Sequence, residues 1–477
     1  MLFNSFSFLV FFVIVFSLYW FVFKTHNRYQ NLLLLISSYV FYGWWDWRFL
    51  SLILFSTIVD FYVGHALGLT IKKKHRRFLL GVSICVNIGL LGFFKYYNFF
   101  IDNWVEVWSS LGITMHRSTL QIILPVGISF YTFQTLSYTI DIYRDKINPE
   151  KSVINFATFV AFFPQLVAGP IERAKNLLPQ FSIQKKFCYK KAMSGLHLII
   201  WGLFKKVVIA DTCATYVNVI FDNYEQMNTL SLVLGAVYFA FQIYGDFSGY
   251  SDIAVGLSRL LGFDLMRNFN YPYFSRDIAE FWRRWHISLS TWFRDYVYIP
   301  LGGSRVSKIK QVRNVFVIFL VSGFWHGANW TFIVWGALNA VYFLPLLLLS
   351  RNRNYLDDIS ISKSFMGLKT IVNIALTFML TCLAWVFFRS NTVSDAVLYI
   401  KQIFLRNDFS SQFLSIERYN FEALLLVLLF VVIEWLIRHY EHPFLGKYAT
   451  IKSIGIVFLI IILGVYSNHN DFIYFQF

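Results

Sequence analysis

The chain has 477 residues, 57% of them hydrophobic and only 14% charged, a balance that excludes an ordinary water-soluble domain and makes lipid the solvent for most of the surface. Its formal net charge is +16, yet Lys and Arg fall in short clusters between apolar runs rather than along one basic face, which argues for membrane topology and against nucleic-acid binding. The four cysteines, Cys85, Cys188, Cys213 and Cys382, are far apart with no paired spacing, so no disulfide or zinc site is expected and each reads as a small apolar residue in a helix.

A membrane-crossing helix needs about 20 mostly apolar residues. Runs of that kind fall at 6–23, 29–44, 49–70, 78–98 and 119–141, then near 193–210, 230–248, 314–350, 370–388, 419–437 and 451–466. They predict an all-α polytopic membrane protein with about 11 transmembrane helices, forming a single domain over 1–477. The run 6–23 has no basic region ahead of it and no small-residue cleavage site, so it reads as a retained first helix. Aromatic rings crowd the ends of runs, as at 42–47, where they suit the headgroup layer.

Basic loops stay cytoplasmic, which puts Lys72, Lys73, Lys74, Arg76 and Arg77 inside. Counting spans then puts the N-terminus and the loop 102–118 outside. The next basic clusters, Arg144, Lys146 and Lys151, then Arg173 to Lys191, both belong inside. The stretch between them therefore cannot be a simple span. Its centre, FFPQLVAGP at 162–170, carries two prolines and a glycine, and such backbone survives at membrane depth only inside protein or beside a cavity. A re-entrant or broken segment is predicted there.

Residues 259–313 hold ten Lys and Arg and no clean apolar run, which predicts a cytoplasmic-side helical block. Within it, Ile278, Phe281, Trp282, Trp285, Leu289, Trp292, Phe293 and Tyr296 recur at intervals of three and four, while Arg283, Arg284 and Arg294 fall elsewhere. That spacing predicts one amphipathic interfacial helix over 277–296. The run 314–350 is too long for one ordinary helix and is interrupted by SGFWHGAN at 322–329. A broken helix is expected; a tilted span and a hairpin both fit, so the side of the C-terminus stays open.

An ionisable side chain in the membrane is costly and marks function by default. His326 is the leading candidate, flanked by Gly323 and Gly327 and by Trp325 and Trp330, which can exclude water; an imidazole there can serve as a general base near neutral pH. His286 could face a cavity reached from the cytoplasm, or could be a packed histidine. Asp246 and Asp252 in YGDFSGYSD read as hydrogen-bonded structural carboxylates, since no further ligand joins them at metal-binding spacing. PLGGSR at 300–305 lacks the Lys-Ser/Thr pair of a nucleotide loop and reads as a turn. No GxSxG elbow supports a serine hydrolase.

Five stretches, FPQLVAGPIER (163–173), FQIYGDFSGYSDIAVGL (241–257), FWRRWHISLSTWFRDYVYIPLGGSR (281–305), SGFWHGANWTFIVWG (322–336) and the terminal FIYFQF (472–477), together resemble the membrane-bound O-acyltransferase family, in its bacterial polysaccharide-acetylating branch. The resemblance implies a ring of transmembrane helices around a thin centre, with re-entrant segments and a cytoplasmic funnel leading to a tunnel. His326 matches the family's invariant histidine and His286 its second motif position. It further implies acetyl transfer from acetyl-CoA or another cytoplasmic acyl thioester, with no tightly bound cofactor and no metal. The acceptor is then an alginate-like exopolysaccharide or other cell-surface polysaccharide, reached directly or through an extracytoplasmic acetyltransferase partner, at a bacterial cytoplasmic membrane. Three rival readings are a D-alanyl transferase within the same family, a transporter, which would also use broken helices, and a scaffold for a polysaccharide synthase.

Overall fold

The computed structural model describes residues 1–115, 122–356, 367–406, 408–410, 422–466 and 472–473. Every regular element among them is helical. Six helical stretches are long and apolar enough to cross a membrane, Trp47–Leu69, Lys73–Ser110, Tyr189–Asp222, Thr229–Leu260, Trp330–Leu348 and Leu368–Arg389, and three shorter apolar helices, Phe6–Val22, Ala423–Ile437 and Ala449–Leu463, accompany them. The chain is an all-α membrane protein that divides into two compact units, 1–196 with 254–266, and 197–253 with 267–477.

The first unit holds α1 (Phe6–Ser17), α2 (Asn27–Asp46), α3 (Leu50–Leu69), α4 (Lys73–Leu91), α5 (Tyr97–Ser110), α6 (Ile128–Tyr143), α7 (Val153–Ala161), α8 (Ala174–Phe181) and the start of α9 (Tyr189–Leu203). Two expectations shift here. Helix continues through α5, so part of the predicted loop 102–118 is helical, and 116–118 lie outside the described residues. The run 119–141 becomes α6, with 119–121 also undescribed; the helix starts only at Ile128, after Gly127 in the left-handed region (φ 78°).

Nearly every side chain of α6 is buried, polar ones included, because they close a hydrogen-bonded centre. Asp60 on α3 accepts from Ser83 Oγ at 2.6 Å and Asn87 Nδ2 at 2.8 Å on α4, and Thr135 Oγ donates to Asn87 Oδ1 at 3.0 Å. Buried polar groups are tolerated when they are bonded in this way. Polar residues of α2 do the same for the proline-containing stretch. α7 ends at Ala161 and residues 162–173 run irregularly, every one buried; Ser38 Oγ accepts from Phe163 N at 3.1 Å, and Asn31 Nδ2 donates to Phe181 O at 2.7 Å. Residues 162–173 are thus irregular chain buried inside protein.

In the second unit α9 passes through a wide turn at Phe204–Ala210 into α10 (Asp211–Asp222), followed by α11 (Thr229–Leu260). α11 extends well past the predicted run 230–248 because its acids are neutralised. Lys205 pairs with Asp252 at 2.6 Å, and Lys206 with Asp246 at 2.7 Å and Asp211 at 2.9 Å, nearly all buried. Asp246 and Asp252 are thus both ion-paired. Ile473 N donates to Asp246 Oδ2 at 2.6 Å and the Phe472 ring lies 4.5 Å from Lys206 Nζ; 474–477, the rest of the terminal FIYFQF, lie outside the described residues.

The single interfacial helix expected over 277–296 is broken. α12 (Ile278–Arg284) and α13 (Ile287–Phe293) are separated at Trp285, which is extended, and His286, which is left-handed at φ 43°. Asn270 N and Ile287 N donate to Arg284 O and Asn268 O, so the preceding strand-like chain at 268–270 takes up the backbone groups that the break exposes. Arg284, expected in water, is buried and shares the Glu280 carboxylate with Arg276. The expected turn at 300–305 is found, with Gly302 and Gly303 at positive φ; Asn314 Nδ2 donates to Leu301 O and Gly303 O.

Of the two arrangements open for 314–350, the hairpin is realised: α14 (Lys308–His326) returns through Gly327–Asn329 into α15 (Trp330–Leu348). Lys308 Nζ meets Leu347 O at 3.0 Å at one end. Near the other, a Cβ on Gly323 would lie 2.2 Å from Phe332 O and one on Gly336 2.3 Å from Phe319 O, so glycine sets the separation of the helices. α16 (Leu368–Arg389), α17 (Val393–Leu405), α18 (Glu422–Ile437) and α19 (Ala449–Leu463) complete the unit; 419–421 of the predicted run 419–437 are undescribed. Cys213 and Cys382 are buried, but Cys85 and Cys188 are exposed thiols, and Cys188 lies outside a helix.

Candidate active site

His326 is the last residue of α14, 3% exposed. The carbonyl end of a helix carries partial negative charge, which favours an imidazolium formed there. Three rings wall the side chain, Trp325 at 4.9 Å, Trp335 at 5.1 Å and Phe388 at 5.4 Å between centroids. Trp335 stacks on Trp385 at 5.6 Å, and Trp385 in turn meets Trp285 at 5.0 Å. Aromatic packing of this density around one imidazole limits access of bulk water.

His286 is fully buried, and the ring of Trp325 lies 6.2 Å from it as well. The structure thus gathers both sequence-predicted histidines around one indole. Phe247 packs edge-on against His286 at 4.6 Å. Its Nδ1 lies 3.1 Å from Asn268 Oδ1, an atom that also accepts from Ser288 Oγ at 2.8 Å and Ser288 N at 3.2 Å. A carbonyl oxygen can only accept, so Nδ1 carries the hydrogen and Nε2 the lone pair. Burial pushes the imidazole down to about 3, keeping it neutral at ordinary pH. Asn268 is itself fixed by donating to Ser251 Oγ at 3.2 Å.

A cavity of about 770 Å³ runs beside these residues. Lys308, Gln311, Val315, Ile318, Phe319 and Ser322 form its α14 side, one helical stripe about 21 Å long at 1.5 Å per residue. The Lys308 end is basic: Arg283 and Arg353 join Lys308 there, and Arg283 donates to Asn352 O and Tyr355 O at 3.1 and 2.7 Å. Ser322, one turn before His326, ends that stripe, and Ile287, the residue after His286, also lines the cavity. A charged head can be held at one end of such a trough while a slim, less polar arm reaches toward the histidines. Asn268, Ser288, Phe388 and the cationic mouth were not singled out from sequence. Only the Asn268–Ser288 pairing left a trace there, as short polar residues on either side of a long separation, and no periodicity reports that.

A helical membrane protein with two buried histidines around one indole and a cavity lined by cations is the class of protein that this geometry defines. The profile of the membrane-bound O-acyltransferase family matches residues 150–357. The chain is similar to a protein named "Probable alginate O-acetylase AlgI" of Pseudomonas aeruginosa, 42% identical over 83% of this chain and 73% of that protein. It is also similar to a peptidoglycan O-acetyltransferase of Helicobacter pylori, at 35% over 88% and 83%. A teichoic acid D-alanyltransferase of Bacillus subtilis is 29% identical over 47% of this chain and 60% of its own length. The chain belongs to the membrane-bound O-acyltransferase family, and it is an acyltransferase.

Proposed function

We propose that this protein moves an acetyl group from a cytoplasmic acyl thioester, acetyl-CoA or a carrier-bound equivalent, toward the hydroxyls of a cell-surface polysaccharide at a bacterial cytoplasmic membrane. The observation that carries the reading is the trough: the cations Lys308, Arg283 and Arg353, with Ser322, one turn before His326, at the far end of its α14 stripe, suit an anionic donor that presents its acyl group toward His326. In its neutral form His326 takes the proton of the attacking hydroxyl as that oxygen adds to the thioester carbonyl. The carbonyl end of α14 stabilises the resulting imidazolium. Collapse of the adduct expels the thiolate, which recovers the proton. His286, its tautomer held by Asn268, orients the donor or the catalytic ring. The identity to an alginate O-acetylase and a peptidoglycan O-acetyltransferase over most of the chain supports an alginate-like or similar acceptor, reached directly or through an extracytoplasmic partner enzyme. Resemblance to the D-alanyltransferase covers less of the chain and is weaker, which favours acetyl over D-alanyl.

In this reading the whole of 1–477 serves as one catalytic domain, its roughly 11 membrane-embedded segments, re-entrant ones among them, ringing a thin centre, with Lys72, Lys73, Lys74, Arg76 and Arg77 cytoplasmic. Labelling of single cysteines in intact cells tests the orientation: Asn103→Cys should react from outside and Lys73→Cys should not, and the opposite pattern inverts the topology. The activity is tested by mass spectrometry of surface polysaccharide from cells with the wild-type gene, without it, and with His326→Ala at matched expression. Acetyl groups should appear only with the wild type. Polymer that stays acetylated with His326→Ala removes the histidine from the chemistry, and a D-alanyl ester in place of acetyl reassigns the donor.

A further inference from the structure

The first unit contains a second, smaller cavity of about 270 Å³, remote in sequence from the histidines. Four cations line it, Lys185, Lys186, Lys191 and Arg259, together with the rings of Trp20 and Phe187, which meet edge-on at 5.4 Å. Trp20 is fixed by donating from Nε1 to Leu260 O at 3.0 Å. Asp264 pairs with this group, 2.7 Å from Lys191 Nζ. Lys185 Nζ lies 4.3 Å from the centroid of Phe263, a contact that desolvates the ammonium without neutralising it. Burial, and then the neighbouring Lys191 charge, push Lys185 down to about 8.

The level of the cavity is set by two helices. The membrane-crossing stretch Tyr189–Asp222 begins beside it and Thr229–Leu260 ends beside it. Within this unit they run antiparallel in close contact: Arg259 Nη1 donates to Ser194 Oγ at 2.9 Å, Lys191 Nζ donates to Gly262 O at 3.0 Å, and a Cβ on Gly195 would meet Gly256 O at 2.6 Å. The cavity therefore sits where both helices leave the hydrocarbon. Around its rim, Ile183, Phe187 and Tyr189 are exposed among the lysines, an interleaving of apolar and cationic side chains that suits the headgroup layer.

We propose that this cavity binds the phosphate ester of an anionic membrane phospholipid, with Lys185 and Lys186 on the phosphate and Trp20 and Phe187 against the glycerol and upper acyl carbons. Concavity, surplus positive charge and position at the hydrocarbon boundary select a phosphate joined to acyl chains over a soluble anion.

The test uses the purified full chain in nanodiscs of phosphatidylglycerol and phosphatidylcholine in equal amounts, with retained lipid counted by native mass spectrometry after transfer to detergent. Wild-type protein should keep phosphatidylglycerol in preference to phosphatidylcholine. Each basic residue near an anionic surface is worth about fivefold, so Lys185→Gln/Lys186→Gln should lower the preference about 25-fold and Lys186→Gln alone about fivefold. Lys190→Gln removes the same charge outside the cavity and should lower the preference clearly less than Lys186→Gln. An unchanged preference in the double variant, or an equal loss in Lys190→Gln, overturns the site. Millimolar inorganic phosphate that binds detergent-solubilised protein through the same lysines, with no phosphatidylglycerol retained, overturns the lipid as its source. None of these readouts depends on acyl transfer, so they stand apart from the catalytic reading.

Discussion

The two histidines reach the same indole by opposite routes. His326 ends a regular helix whose partner is held close by Gly323 and Gly336, so its position is a property of the hairpin. His286 occupies a break in the chain at positive φ, with Asn268 Oδ1 and Ser288 Oγ at its Nδ1. Backbone packing places the first, and a local hydrogen-bond set places the second. A buried network of that kind is specific when complete and costly when one member is lost.

The largest effect that could break this contrast is on chemistry. His326→Ala should slow acyl transfer by about 100-fold to 10,000-fold, the range for a positioned general base, while the protein still inserts and extracts folded in detergent. His286→Ala should fall short of the 100-fold loss expected for a base. Equal rate losses in a donor-saturated assay would mean that both act on the proton. Asn268→Ala comes next. It leaves His286 Nδ1–H and the Ser288 donors without their acceptor, at about 1–3 kcal/mol for each group left unpaired, and should lower the melting temperature and the activity together. Gly336→Val should cost about 1–3 kcal/mol by forcing α14 and α15 apart, lowering activity through His326 with the His286 hydrogen bonds intact. The smallest expected effect is on pH dependence. Burial keeps His286 neutral down to about 3, whereas in the unfolded chain it titrates near 6.5. The unfolded state therefore binds the extra proton between those values, and stability falls as pH drops. The loss from pH 6.5 to 5.5 should be about 1 kcal/mol, visible as a melting shift that His286→Asn removes.

Sequence reading went furthest where long apolar runs decide the structure. The cores of most runs, the irregular chain at 162–170 and an interruption within 322–329 were legible, because hydropathy and proline–glycine punctuation report the local cost of burying backbone, although 322–326 are still helical. It failed where charges are cancelled by distant residues. Asp246 and Asp252 look like the end of a span until Lys205 and Lys206 are seen against them. Arg284 looks solvated until Glu280 is seen to hold it. The periodicity at 277–296 was real, yet the left-handed residue inside it was not, since His carries no turn signal of the strength that Gly or Pro does. His326 and His286 were both named as site candidates from sequence. Their shared Trp325, the Asn268 anchor and the trough's cationic mouth needed three-dimensional contact.

In the proposed acyltransferase reading, the trough beside α14 sets a ruler for the donor. A group anchored at Lys308 is about 21 Å along the helix from Ser322, farther than a simple thioester can extend. A short soluble analogue such as S-acetyl-N-acetylcysteamine offers the same reactive carbonyl with nothing for the cations to hold. In the acyltransferase reading such an analogue should saturate poorly yet turn over at a comparable rate once bound, so truncation should appear in KM far more than in kcat. Neutralising Arg283 or Arg353 should then weaken the full-length donor and leave the analogue untouched, which makes substrate length a gauge of how much of the enzyme is devoted to reach.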